Sequence, residues 1–195
     1  MVATILDFEP VAEPLLFPGI TWQQFKMMEP LLDTPGVRLS FLDGILEIRR
    51  MPGKKHEVVK KRIGALVEAF LEMSGIPHTP TGSMTLESEA GQVRREADES
   101  YEIGNNRERP DLAIEVVVSS GGINKLEAYK RLQIPEVWFW EKGELLRYAL
   151  RTHGHEAIDR SEVLPSLDLA LFTKCLEYPD HLQALREFRQ SLRSQ

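Results

Sequence analysis

The chain has 195 residues, 42% of them apolar and 28% charged, with a net charge of −6 and one cysteine, Cys175; it can bury a core but can form neither an intramolecular disulfide nor a multi-cysteine zinc centre. No apolar run reaches the roughly 20 residues that cross a bilayer, and MVATILDFEPVAEPLLF is acidic where a secretory leader is basic, so a single cytoplasmic domain over 1–195 is expected. The acidic balance excludes a passive nucleic-acid coat but not a nuclease, whose metal ions need clustered carboxylates.

Residues 1–20 carry three prolines and no hydrophobic period, which reads as an arm on the surface. Thr21 with Gln24 forms a capping box that opens a helix through about Met28. From Val37 to Ile48 the run VRLSFLDGILEI alternates around Asp43-Gly44, the dipeptide of a tight hairpin turn. Between Lys55 and Ser74, Val59, Ile63, Leu66, Val67 and Phe70 fall on one helical stripe that stops at Gly75. Short strands are predicted at 76–80 and 83–88, and a longer one, VRREADESYEI, over 93–103.

PDLAIEVVV, residues 110–118, is a nearly unbroken β-branched run and predicts a central strand covered on both faces. Ser119-Ser120-Gly121-Gly122 connects it to a helix over 123–132, which Pro135 ends before the strand EVWFW and its hairpin partner ELLRYAL. Trp138 and Phe139 should face opposite ways, and His153 and His155 fall in a turn. Residues 166–195 read as helical, with Leu182, Leu185, Phe188 and Leu192 on one face. The resulting fold class is α/β of the α+β type, a mixed central sheet flanked by helices.

Glu115 stands inside the apolar strand, where an unpaired carboxylate costs several kcal/mol, about 2–7 for a polar group and more for a charge. A hairpin of strands 94–103 and 110–118, centred between Asn106 and Arg107, puts positions summing to 213 face to face, so Asp98 opposes Glu115. Directly opposed residues have Cβ atoms about 4.5–5.5 Å apart, close enough to share a hard cation such as Mg²⁺. Asp111 with Glu102 is the fallback pair in the same register. Lys125, near the start of the next helix, can reach back toward the strand, giving the set that phosphodiester hydrolysis requires: metal-holding acids and a cation for the developing charge.

The order EADESYEIGN, PDLAIEVVVSSGGINKLEAYKRL, IPEVWFW resembles the Uma-two family of restriction-endonuclease-like proteins, in the PD-(D/E)XK superfamily. The resemblance runs from about Thr21 to Trp140 and into the following hairpin. It implies a restriction-endonuclease-like fold and Mg²⁺- or Mn²⁺-dependent cleavage of DNA, often by a homodimer. Asp98 matches the PD aspartate, although Ala97 replaces the proline. Glu115 matches the strand acid, Lys125 substitutes for the lysine that Val117 displaces, and Glu57 matches a further acid, with His56 beside it.

Plainer roles are open to the same residues. Glu115 is equally suited to a structural ion pair with Arg94, Arg95 or Lys125. Lys54, Lys55, Lys60, Lys61 and Arg62 form either a DNA-tracking stripe or a solvated helix face. Ser119 to Ile123 is either a plain connection or a phosphate cradle. Whole-chain alternatives are a catalytically degenerate module that binds without turnover and a structural partner whose acids form ordinary salt bridges.

Overall fold

The computed structural model describes residues 13–51, 53–118 and 122–194. Leu15–Pro18 (β1) is followed by the helix Trp22–Leu32 (α1), the hairpin Val37–Leu42 (β2) and Ile45–Arg50 (β3), and the long helix Lys54–Met73 (α2). His78–Pro80 (β4), Thr85–Ser88 (β5), Val93–Glu96 (β6), Glu99–Ile103 (β7) and Leu112–Val117 (β8) come next. Lys125–Arg131 (α3) leads to Glu136–Glu141 (β9), Glu144–Arg151 (β10) and Gly154–Ala157 (β11), and Leu169–Leu176 (α4) and His181–Arg193 (α5) close the chain.

The sequence predicts one central sheet, but the strands form two. A six-stranded mixed sheet has the order β11-β10-β9-β8-β7-β4, with β8 and β9 parallel and the other neighbours antiparallel. A five-stranded antiparallel sheet has the order β1-β3-β2-β6-β5. The division falls at Ala97-Asp98, where the predicted strand 93–103 breaks: β6 joins β2 and β5, and β7 joins β8 and β4. Both halves read as strand locally, so nothing in their composition signals that they serve different sheets.

The Asp43-Gly44 turn has both residues at positive φ, 49° and 81°, as a two-residue hairpin turn demands. Helix α1 opens with the expected capping box and runs past Met28 through Pro30, closing with Asp33 N–H on the Glu29 carbonyl. The α2 stripe buries Ile63, Leu66, Val67 and Phe70 against β8 and β9, with Leu112, Ile114, Val116, Trp138 and Trp140. Each such side chain contributes about 1.5–3 kcal/mol by leaving water. Helices α4 and α5 share this face through Phe172 and Phe188. The opposite face of β8 and β9, carrying Ala113, Val137 and Phe139, packs against α3 and against Leu42 and Val93 of the second sheet. By strand alternation Glu115 points to this second face, into the space between the two sheets.

Four local expectations are corrected. Part of the N-terminal arm is the edge strand β1, paired with β3, while residues 1–12 lie outside the described residues. His155 sits in strand β11, one ring nitrogen 2.9 Å from the Ile134 carbonyl oxygen. Leu182 is 53% exposed, because the buried stripe of α5 is centred on Ala184 and Phe188 and Leu182 lies roughly 140° around the helix from it. Arg62 and Lys60 are buried, so the basic cluster of α2 is no continuous surface stripe. Arg62 donates to the carbonyls of Leu176 and Tyr178 and ties α2 to the α4–α5 turn. No helix among the described residues is long and apolar enough to cross a membrane.

Candidate functional site

The register of β7 on β8 is Glu99↔Ile114, Ser100↔Ala113, Tyr101↔Leu112, the pairing expected from the sequence. The ladder stops one residue short of Asp98. Asp98 N–H bonds the Ile114 carbonyl (3.1 Å), and the side chain folds along β8 so that Oδ2 accepts from Val116 N–H at 2.8 Å. Asp98 and Glu115 then line one cleft of about 30 Å³ between the two sheets, with Lys125 at its α3 side and His56 at the start of α2.

Both carboxylates are deeply buried, at 2% and 1% exposure. Glu115 Oε1 accepts from Arg95 Nε (3.0 Å), Arg95 Nη2 (2.8 Å) and the Tyr129 hydroxyl, and Oε2 accepts from Lys125 Nζ at 2.8 Å. Burial alone would raise the Glu115 pKa, but Arg95 and then Lys125 outweigh it and hold the group ionised, at about 2. For Lys125 the balance favours the uncharged form instead. Burial and repulsion from Arg95 bring it below the usual lysine value despite Glu115, so Arg95 is the principal counter-charge and Lys125 the looser one. Tyr129 is pushed up by burial and by Glu115, so it stays a neutral hydroxyl donor.

Asp98 has its own partners: Arg38 Nη1 at 2.7 Å from Oδ1, and His56 Nε2 at 3.1 Å from Oδ2. Burial would raise its pKa, but His56, Arg38 and the Val116 amide together depress it below the usual aspartate range. The other His56 ring nitrogen faces Glu57 Oε1 at 3.2 Å. Glu57 therefore does not line the cleft as the sequence reading expects. It lies behind His56, also 3.6 Å from Lys60.

The fallback acids are elsewhere. Asp111 accepts from Ile103 N–H and pairs with Arg107, closing the β7–β8 connection, and neither it nor Glu102 reaches the cleft. Arg94 pairs with Glu29 instead of Glu115. The amide of Ile123, part of the candidate phosphate cradle, donates to Glu47 Oε2 at 2.9 Å, while Ser119, Ser120 and Gly121 lie outside the described residues.

Sequence reasoning missed Arg38 and Glu47, and it named Arg95 only as one possible structural partner of Glu115, the pairing found here. All three lie on strands of the second sheet and are less than 9% exposed. The signal was present in the hairpin: alternation puts Arg38, Ser40 and Leu42 on one face of β2, and Glu47 pairs with Ser40. A second layer over that face turns these polar groups inward. Lining the cleft are Arg38, Arg49, Arg50, Arg95 and Lys125 against Glu47, Asp98 and Glu115, five cations to three anions in a chain whose net charge is −6.

A family model described as "Putative restriction endonuclease", Uma2, matches residues 22–177. The chain belongs to the Uma2 family. Its mixed sheet, second sheet and flanking helices are a restriction-endonuclease-like α+β fold, and the Uma2 match spans every strand of both sheets except β1. No curated protein matches the chain.

Uma2 proteins, as members of a restriction-endonuclease-like family, are expected to use divalent metal, and the donor set here bears on how. Among the described residues no three His, Cys, Asp or Glu side chains form a ready-made cage. Asp98 Oδ1 and Glu115 Oε2 each have a single hydrogen-bond donor among those residues, Arg38 and Lys125, which leaves each oxygen a lone pair. Mg²⁺ characteristically takes one or two carboxylates and completes its shell with water and substrate phosphate oxygens. The two acids fit that mode and not an all-protein site.

Proposed function

We propose that the cleft hydrolyses phosphodiester bonds of DNA, with Asp98 and Glu115 holding Mg²⁺ or Mn²⁺. The observation that carries this reading is two buried carboxylates on one cleft, each paired with an arginine, with an ammonium group 2.8 Å from the second of them. A bound dication would supply a more acidic water and neutralise charge on the phosphate. Lys125, the looser partner of Glu115, is the cation free to turn toward a pentacovalent phosphate and stabilise its added charge. Arg95 and Tyr129 fix the Glu115 carboxylate in place. Arg38, His56 and the Val116 amide do the same for Asp98, and Glu57 acts at one remove by holding His56. Cutting both strands of a duplex calls for two sites, which a homodimer would provide.

A second reading is favoured by the same ion pairs: each acid already has an arginine or lysine as its counter-charge, as suits a nuclease fold that binds DNA without turnover. Plasmid nicking with Mg²⁺ or Mn²⁺ separates the two. The catalytic reading expects nicking by the wild type, lost in Asp98→Asn and reduced at least a hundredfold in Lys125→Met, with both variants folded. Equal nicking by all three identifies a contaminant and removes the catalytic reading. DNA binding without nicking selects the second reading.

A further inference from the structure

Arg38 has a single task in the proposed chemistry, holding Asp98, and the geometry of its side chain leaves room for another. The side chain is 8% exposed. Nη1 is engaged with Asp98 at 2.7 Å and Nε lies 3.4 Å from Glu96, but Nη2 is buried without a hydrogen-bond partner among the described residues. A buried donor left unmade costs about 1–3 kcal/mol, more for a charged group, so such a group calls for a water or a ligand.

Its setting is also electrostatically incomplete. In the β2–β3 ladder Arg38 stands directly opposite Arg49, and like charges so placed repel. Arg49 leans on Glu47 and Arg38 on Asp98 and, at 3.4 Å, on Glu96, yet the side chains lining the cleft, exposed Arg50 among them, count two more cations than anions. A volume of about 30 Å³ accommodates roughly two water-sized groups, room for phosphate oxygens entering from that mouth.

We propose that Arg38 binds a non-bridging phosphate oxygen through Nη2, making it a substrate-binding residue that supplies from β2 the positive charge that β8 lacks at Val117. The assignment rests on the reading of the cleft as a phosphodiester site and deepens it. A guanidinium suits the position because its planar fork can hold Asp98 with one nitrogen and present another to the phosphate, which an ammonium cannot do with fixed geometry.

The test starts with inorganic phosphate as the probe, in metal-free buffer, read as a melting-temperature shift against sodium chloride of equal ionic strength. Wild type should gain a phosphate-specific rise, and Arg38→Lys should bind phosphate roughly 10- to 100-fold more weakly, the range for losing a charge-assisted hydrogen bond. Arg38→Gln should show no rise; should it fail to fold, judged by near-ultraviolet circular dichroism, Arg38→Lys decides alone. With a fluorescein-labelled duplex, the slope of log affinity against log salt should fall by about one in Arg38→Gln, or in Arg38→Lys by less, a change that a purely structural role would not produce. No phosphate-specific rise in wild type, or equal binding by wild type and Arg38→Lys, overturns the proposal. Phosphate bound through Arg38 by a protein that never nicks plasmid upholds it while the nuclease reading falls.

Discussion

Replacing Glu115 by Gln keeps the shape of the side chain and removes one negative charge from a position 1% exposed to solvent. Arg95, 3% exposed, then loses the carboxylate that two of its nitrogens contact at 2.8 and 3.0 Å, and Lys125 loses its 2.8 Å partner. Glu47 cannot take over, since its Oε1 is 3.8 Å from Arg95 Nη1 and its other oxygen already serves Arg49 and Ile123. Breaking a buried pair by deleting one partner destabilises by about 3–5 kcal/mol, because the remaining charge stays buried without compensation. For a chain of this size each kcal/mol lowers the melting temperature by about 2–4 °C. Glu115→Gln should therefore melt about 6–20 °C below wild type in metal-free buffer and lose a comparable stability in urea. Lys125→Met should change stability far less, since it removes a cation that burial already disfavours and leaves Glu115 with Arg95. If Glu115→Gln stays within about 1 kcal/mol of wild type, or Lys125→Met is the more damaging of the two, Arg95 is not the principal counter-charge of Glu115.

Acid should expose the same network. Glu115 and Asp98 have folded pKa values depressed below their unfolded ones, so their contribution is complete above about pH 4.5 and declines as the pH falls toward 2, where the folded Glu115 carboxylate protonates, Asp98 holding its charge to lower pH still. Urea melts between pH 6 and 2.5 should show stability declining through that window in wild type and a flatter profile in Glu115→Gln. Gly122 has φ +94°, and a Cβ there would overlap Glu47 Oε2 and Arg49 Nη2, so Gly122→Ala should cost about 1–3 kcal/mol through backbone strain and a displaced Ile123–Glu47 bond; an unchanged melting temperature would show that the connection yields freely. Arg62→Met should loosen the α4–α5 turn, seen as faster proteolysis around Tyr178, and leave the salt dependence of DNA binding unchanged. A reduced salt slope in that variant would restore the DNA-tracking reading of α2.

Local features of the chain were legible where local physics sets the conformation. Asp43-Gly44 specified a turn because few other dipeptides accept positive φ twice. The 3.6-residue stripe of α2 specified a helix and its buried face, and the β-branched run around Glu115 specified a strand covered on both sides. A hairpin register follows from where its turn sits, so the pairing of β7 with β8 could be counted from the sequence. Glu115 and Lys125 were also visible as candidates, the first because it breaks an apolar run and the second because it follows a punctuating Gly-Gly turn, and Asp98 followed from the counted register.

The tertiary structure decided what those acids touch. Arg38 and Arg95 lie on strands whose own alternation is satisfied by either a solvated or a covered face, and a second sheet stacked on the first covers that face. The strand break at Ala97-Asp98, with β6 in one sheet and β7 in the other, brings Arg95 onto Glu115 and turns Asp98 toward Arg38 and His56. Periodicity reports which side of an element is buried, but the charge that meets a buried carboxylate is fixed by the packing of elements far apart in the chain.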